Sequence, residues 1–295
     1  MGNRLFIKPL CDSDIDFVTE ISRKEGFAPG VGDLGIYQNT DKQGLWVGWL
    51  NDIPIGCIAG VRYNQHYGFV GLFLVIEKYR GRGFGLQLWK KALSHLSDLP
   101  CVGLEAAPER INDYKKWGFT ISSKTTRWQW MAEGKLLEEN SKNDHLKNFS
   151  FVEGSSIPKY AIEKFDEKRE TTPRPHFLSN WLNHPAGKVI AVMDIDNRCH
   201  GFGRIRPCLL QTGVGWRIGP LMADTPILVE ILLNKLIKSH SGLIIVDAPG
   251  LNKTASKVFE KLGFKSESET YRMYRGFQPP VSMNDVYGLA CLELG

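Results

Sequence analysis

The sequence predicts an α/β chain of the α+β kind, built as two tandem domains, each a mixed central sheet flanked by helices. Three observations carry this. The chain has 295 residues, enough for two domains of ordinary size. Residues 69–107 read as strand, glycine-rich turn, helix and strand, the pattern of two parallel strands joined by a crossover helix. Finally, Tyr114-Lys-Lys-Trp-Gly-Phe119 returns as Phe259-Glu-Lys-Leu-Gly-Phe264, and each phrase follows a helix and then a strand ending in Ala-Pro.

In the first half, Arg4 to Leu10 reads as a strand. Asp12-Ser-Asp-Ile-Asp16 then supplies N-cap chemistry for a helix over Phe17, Val18, Ile21 and Lys24. The Gly and Pro residues of Gly26–Asp33 force a loop that is placed to line a site. Residues 44–50 and 55–61, joined by the turn Asn51–Pro54, form an antiparallel meander that Asn64–Gly68 turns into the strand Phe69–Ile76. A helix over Phe84–Leu96 leads to a strand at Cys101–Ala107, a second helix at Glu109–Trp117 and a last strand at Thr120–Met131. Polar residues 133–148 make the best linker. We therefore expect a catalytic domain at 1–135, a linker at 136–148 and a second domain at 149–295. That second domain reads as a helix at Ile157–Glu167, strands at 188–195 and 200–210, a strand ending at Met222, a helix at Ile227–His240, a strand at Gly242–Ala248 and a helix at Thr254–Leu262.

Composition excludes several classes. Hydrophobic residues at 42% and charged residues at 23% match a soluble globular protein. The net charge of +5 is spread along the chain with no long run of one sign, so nucleic acid is not indicated as a partner. No apolar run approaches the roughly 20 residues that span a bilayer, and the opening residues lack a signal-peptide core; we expect a cytoplasmic protein without a membrane partner. Met-Gly at the start suggests myristoylation, but Phe6 stands where Ser or Thr is wanted. The six cysteines show no Cys-x-x-Cys pair or zinc spacing, and read as reduced, mostly buried thiols with no metal site.

The stretch with chemistry in it is Val75–Trp89. An apolar strand breaks at Arg80-Gly81-Arg82-Gly83-Phe84-Gly85, and Leu86, Trp89, Leu93 and Leu96 then mark a helix. A helix N-terminus offers free backbone N–H groups and a partial positive charge. The glycines admit a phosphate to the bare backbone, and Arg80 and Arg82 add charge. A dinucleotide fold is disfavoured because the third glycine lies off its usual spacing, and no Gly-Lys-Ser/Thr follows for a P-loop. In the second copy the corresponding strand ends in Arg217-Ile-Gly-Pro-Leu-Met-Ala-Asp224, without the Arg/Gly turn, and Asp224 would repel a phosphate. Phe259 also replaces Tyr114. One working site is expected, with the second copy retained for packing or for shaping the cleft.

Arg80-x-x-Gly83-x-Gly85 between strand and helix, followed by Tyr114-x-x-x-Gly-Phe on the next helix, resembles the GCN5-related N-acetyltransferase (GNAT) superfamily over roughly residues 4–131. The second half, through Gly201–Cys208, Ile218–Asp224 and Val286–Leu294, is similar to the degenerate acetyltransferase domain that follows such a domain in some bacterial proteins. The resemblance implies central strands that splay apart around acyl-CoA. Its pyrophosphate would rest on Arg80, Gly81, Arg82, Gly83, Phe84 and Gly85, and its pantetheine arm would pair with the main chain of Phe73, Leu74 and Val75. It also implies that Tyr114 is the general acid for the departing thiolate. An amine must be neutral to attack a thioester, so a base is needed, and Glu105 in the second central strand is one candidate. His66, with Tyr67, stands at the start of the first central strand, and Glu25 lies in the loop that covers the acceptor in this superfamily; either is a candidate substrate contact.

The expected function is N-acyl transfer, most simply acetyl, from acetyl-CoA or a longer acyl-CoA to a primary amine of a small molecule or peptide, by direct attack within a ternary complex and without a metal. Two alternatives stand beside it: longer-chain transfer to a lysine-like side chain of a peptide, and a non-catalytic CoA- or partner-binding protein. The numerous tryptophans should be mostly core, with an apolar acyl chain or aromatic amine favoured if several line the cleft. The oligomeric state is open, a homodimer among the options.

Overall fold

The computed structural model describes residues 4–132 and 147–295; the expected linker falls almost entirely outside them. In chain order the first half comprises β1 (Phe6–Pro9), α1 (Ile15–Lys24), α2 (Asp33–Thr40), β2 (Leu45–Leu50), β3 (Ile53–Arg62), β4 (Tyr67–Val75), α3 (Phe84–His95), β5 (Cys101–Ala106), α4 (Ile111–Lys115) and β6 (Thr120–Ala132). The second comprises β7 (Phe149–Glu153), α5 (Lys159–Glu167), α6 (Pro175–Asn183), β8 (Lys188–Asp194), β9 (Cys199–Leu209), β10 (Val214–Ala223), α7 (Pro226–Ile237), β11 (Gly242–Pro249), α8 (Ala255–Lys261), β12 (Lys265–Gly276) and β13 (Val286–Gly288). The α+β reading is correct, with a mixed sheet and flanking helices in each half.

The repeat is real at the level of backbone hydrogen bonds. Gly118 and Gly263 both adopt left-handed conformations, at φ +84° and +82°. After each, Phe119 N–H donates to Tyr114 O and Phe264 N–H to Phe259 O, at 3.3 and 2.9 Å, the same helix stop in the same register.

All strands form one sheet, in the order β1-β2-β3-β4-β5-β12-β6-β11-β10-β9-β8-β7, with β13 added alongside β10. The halves exchange their sixth strands. β12 lies between β5 and β6 and pairs antiparallel with both, while β6 continues onto β11 from Gly242↔Ala132 to Pro249↔Thr125. Sequence patterns had not marked β12 as a strand. The core is shared as well: Val18, Val47 and Phe69 of the first half pack in one cluster with Phe177, Trp181 and Cys291 of the second.

In both halves the two central parallel strands begin paired and then part. β4 pairs with β5 from Tyr67↔Cys101 to Val70↔Leu104. Beyond that, β4 follows β3 alone, across an irregularity in register where Leu72 takes a left-handed φ of +48°. β10 pairs with β11 over Trp216–Ile218 only. What fills the two openings differs. In the second half β13 enters, pairing antiparallel with Leu221 and Met222 of β10, and Leu289 N–H donates to Asp247 O at 2.8 Å. In the first half the gap stays open, and the residues after β13 form part of its wall.

Candidate active site

The turn after β4 runs from Ile76 to Gly83 and opens with a 3-10 turn at Glu77–Tyr79. Gly81 and Gly83 hold φ values of +73° and +80°, conformations that disfavour any side chain, and nothing lies within 4 Å of where a Cβ would be. Gly83 is the N-cap of α3 and no side chain caps it, so the cap leaves the first-turn N–H groups without a side-chain acceptor. Arg82 lies over the rings of Tyr79 and Phe84, and Phe84 is buried among Leu5, Leu50 and Ile55. Phe84 thus anchors the turn to the core. Arg80 is tethered: its Nε donates to Val75 O at 2.7 Å and its Nη2 to the carboxylate of Glu25.

Beside this turn the parting strands leave a cavity of about 680 Å³, lined among others by Phe73, Leu74 and Val75 from β4, Glu105 from β5, Tyr114 from α4, and Gly26 and Phe27 from the loop after α1. The Tyr114 ring packs at 5.2 Å from Trp89 and 6.4 Å from Phe119, which fixes its direction. Burial pushes its phenol up to about 12, so it stays protonated at neutral pH and has a proton to donate. Trp89 is the one tryptophan among the described lining residues, so several tryptophans do not line the cleft; its other aromatic rings are Phe27, Phe73 and Tyr114.

The remaining expected residues divide. Glu25 lines the cleft, but its carboxylate faces Arg80. Glu105 also lines it, yet it accepts hydrogen bonds from Arg272 Nε at 2.7 Å, Thr270 Oγ1 at 3.0 Å and Thr125 Oγ1 at 3.1 Å. Its side chain is 3% exposed, and the job visible in the structure is to neutralise the buried Arg272. His66 needs correction as a substrate contact. It sits on the exposed turn before β4, near Gln65 and Asn64, whereas the cleft opens beside the other end of that strand.

Sequence reasoning missed a group of ionic residues that the exchanged strands and the final segment carry into the cleft. Asp247 on β11 accepts two bonds from Arg127 on β6, at 2.7 and 3.1 Å, and one from Arg217 on β10 at 2.8 Å. Burial works to raise its pKa, but the two guanidinium groups outweigh it and hold the carboxyl down at about 2. Glu293 lines the same wall, accepting from Arg217 Nη1 at 3.2 Å and Tyr37 OH at 3.3 Å. The loop that bears Gly26 and Phe27 is clamped by the second half: Val31 N–H donates to Pro207 O, Leu209 N–H to Pro29 O, and the buried Asp33 takes a two-pronged pair from Arg206, both arms at 2.8 Å. Although burial acts to raise Asp33, Arg206 holds it below the usual carboxylate range. The second copy has no counterpart to the turn. Only Asp224 and Thr225 separate β10 from α7, and Asp224 is taken by Arg169 and His200 at 2.6 and 2.8 Å.

Residues 15–119 match the acetyltransferase (GNAT) family, and residues 162–288 match an acetyltransferase (GNAT) domain. The chain belongs to the GNAT family, in tandem form. Among its relatives is the holothin acyltransferase of Pseudoalteromonas sp., 29% identical over 290 residues, covering 98% of this chain and 94% of that protein. The fold is also that of a putative acetyltransferase from Pyrococcus horikoshii, with a TM-score of 0.81 at 21% identity over 99% of this chain and 96% of that one. A tandem GNAT protein from the clavulanic acid biosynthesis pathway aligns with a TM-score of 0.62 at 14% identity over 92% and 98% of the two chains. This tandem GNAT protein is thus an acyl-transferring enzyme, and the family implies acyl-CoA as its co-substrate. Among the described residues no cluster of His, Cys, Asp and Glu is arranged to hold a metal ion, and no helix is long and apolar enough to cross a membrane.

Proposed function

We propose that this enzyme transfers an acyl group from acyl-CoA to a primary amine of a small molecule or peptide, with the working site in the first half. The observation that carries the reading is the open gap between β4 and β5, which joins the uncapped N-terminus of α3 to the Tyr114 phenol. Anionic phosphates suit the glycine turn, where Arg80, Gly81, Arg82, Gly83, Phe84 and Gly85 would hold them. The edge of β4 at Phe73, Leu74 and Val75 has no strand partner in β5 and, apart from Val75 O, which Arg80 takes, would offer main-chain groups to the pantetheine amides. The amine attacks the thioester carbonyl, the C–S bond breaks, and Tyr114 donates its proton to the departing sulfur. Acetyl is the simplest donor. The relative's name gives the group only as acyl and so supports a choice of donor wider than acetyl.

Isothermal titration with CoA is the first test: the intact protein should bind at micromolar concentration, and failure to do so would remove the reading. Mass spectrometry after incubation with mixed acyl-CoAs and a panel of amines and peptides then identifies acceptor and chain length. CoA binding with no transfer to any of them would favour a binding protein.

A further inference from the structure

Besides Glu25, whose carboxylate is held by Arg80, six carboxylates line the cleft; Glu109, Asp113 and Glu269 are exposed at its rim, while the side chains of Glu105, Asp247 and Glu293 are buried, and their partners distinguish these three. Glu105 accepts three hydrogen bonds of 2.7–3.1 Å and Asp247 three of 2.7–3.1 Å, all but two of the six from guanidinium groups. Glu293 accepts two, at 3.2 and 3.3 Å. A carboxylate has about four acceptor sites, and charge-assisted bonds usually run at about 2.7–2.9 Å, so of these three buried carboxylates Glu293 has the fewest and longest bonds and the most capacity unused. Its main chain crosses β4 where the strand leaves β5: a Cβ on Gly71 would collide with the Glu293 carbonyl, and Leu72 is the left-handed residue next to it. Arg217 does not cancel its charge alone, because that guanidinium is shared with Asp247.

We propose that Glu293, carried by the second half, receives the acceptor's amino group and takes its proton, so that the natural acceptor is a primary alkylamine that arrives as an ammonium ion. This rests on reading the cleft as an N-acyltransferase site. Burial disfavours an ammonium and a carboxylate alike, and passing one proton between them neutralises both. The freed lone pair attacks the thioester carbonyl, the C–N bond forms and the C–S bond breaks. CoA leaves with the Tyr114 proton, the second nitrogen proton restores the phenol, and Glu293 releases the first to solvent. The products are an amide, CoA thiol and one proton.

The test compares the intact wild-type protein with Glu293→Gln, using acetyl-CoA, the primary alkylamine on which the amine panel shows transfer, and hydroxylamine, which is neutral in the assay. We expect kcat/KM for the alkylamine to fall about 100-fold in E293Q, with the hydroxylamine value and the CoA affinity within about threefold of wild type. Equal falls for both nucleophiles, or no fall for either, overturn the assignment. If E293Q does not bind CoA, Glu293→Asp carries the same comparison; loss of CoA binding in both variants makes Glu293 a structural prop and also overturns it. A wild-type protein that binds CoA but transfers to no amine defeats the acyltransferase reading first, and the Glu293 assignment falls with it.

Discussion

Arg80 donates to the Glu25 carboxylate across the mouth of the cleft, so the cation that the glycine turn offers to a phosphate already has an anionic partner from the loop after α1. The two side chains are 40% and 37% exposed, and such a pair contributes little to stability once solvent screening is counted. Its consequence is competition. Glu25→Ala should leave the unfolding midpoint nearly unchanged and tighten CoA binding by about two- to fivefold, because Arg80 no longer has to leave a partner. Titration calorimetry decides it, and an unchanged or weaker affinity would show that the pair does not compete with the ligand.

The two copies of the turn should respond in opposite ways. Gly83→Asp places a carboxylate on an uncapped helix N-terminus and forces a left-handed residue, so CoA binding should disappear. Asp224→Ala removes a partner of Arg169 and His200, should cost at most about 1 kcal/mol, and should not alter CoA affinity. Equal losses of binding from both would refute a single working cradle.

Tyr114→Phe keeps the ring that packs on Trp89 and removes only the hydroxyl. Turnover should fall about 100-fold while CoA affinity stays within about twofold. Because burial raises the phenol well above its ordinary 10, we expect the wild-type rate not to fall through Tyr114 ionisation below about pH 10, which a pH–rate profile checks against the Phe variant. A variant with full turnover would remove Tyr114 from the mechanism.

Asp247 ties β6, β10 and β11 together through Arg127 and Arg217. Its carboxyl is depressed to about 2 from an ordinary 3.8, so its contribution to stability is present above the unfolded value and is lost as pH falls through about 2. Asp247→Asn leaves two guanidinium groups short of a counter-charge and should destabilise by about 3–5 kcal/mol at neutral pH. Urea unfolding should show the difference between variant and wild type shrinking toward pH 2; a constant difference would place the effect elsewhere.

The local grammar of this fold was legible in its residues. The Arg80–Gly85 turn, the crossover from β4 through α3 to β5, and the Gly-Phe helix stops each depend on residues close in sequence. β12 was not legible: Lys265-Ser-Glu-Ser-Glu-Thr is polar and partly exposed, and its partners on β5 lie more than a hundred residues away. α2 was hidden for a local reason, since Gly35, Asn39 and Thr40 are poor helix formers held by tertiary packing of Leu34, Ile36 and Tyr37. Glu105 looked like a base because its position in β5 could be read, whereas Arg272, which occupies it, arrives on the exchanged strand. Glu293 lay within the Val286–Leu294 stretch that carries the second resemblance, but nothing there marked it as a cleft residue, because its place is set by contacts with Gly71 and Arg217.

The final segment passes first through the opening of the second half and then along the opening of the first. A Cβ on Gly219 would strike Leu289 O just as one on Gly71 would strike Glu293 O. One thread therefore fills the opening of the second half and lines that of the first, and the exchanged strands hold that arrangement. Duplicated units ordinarily keep the freedom to lose a redundant member. Here the half without a glycine cradle supplies a strand to the other's sheet, part of its core and part of its cleft wall, so removing it would leave the first half unfinished.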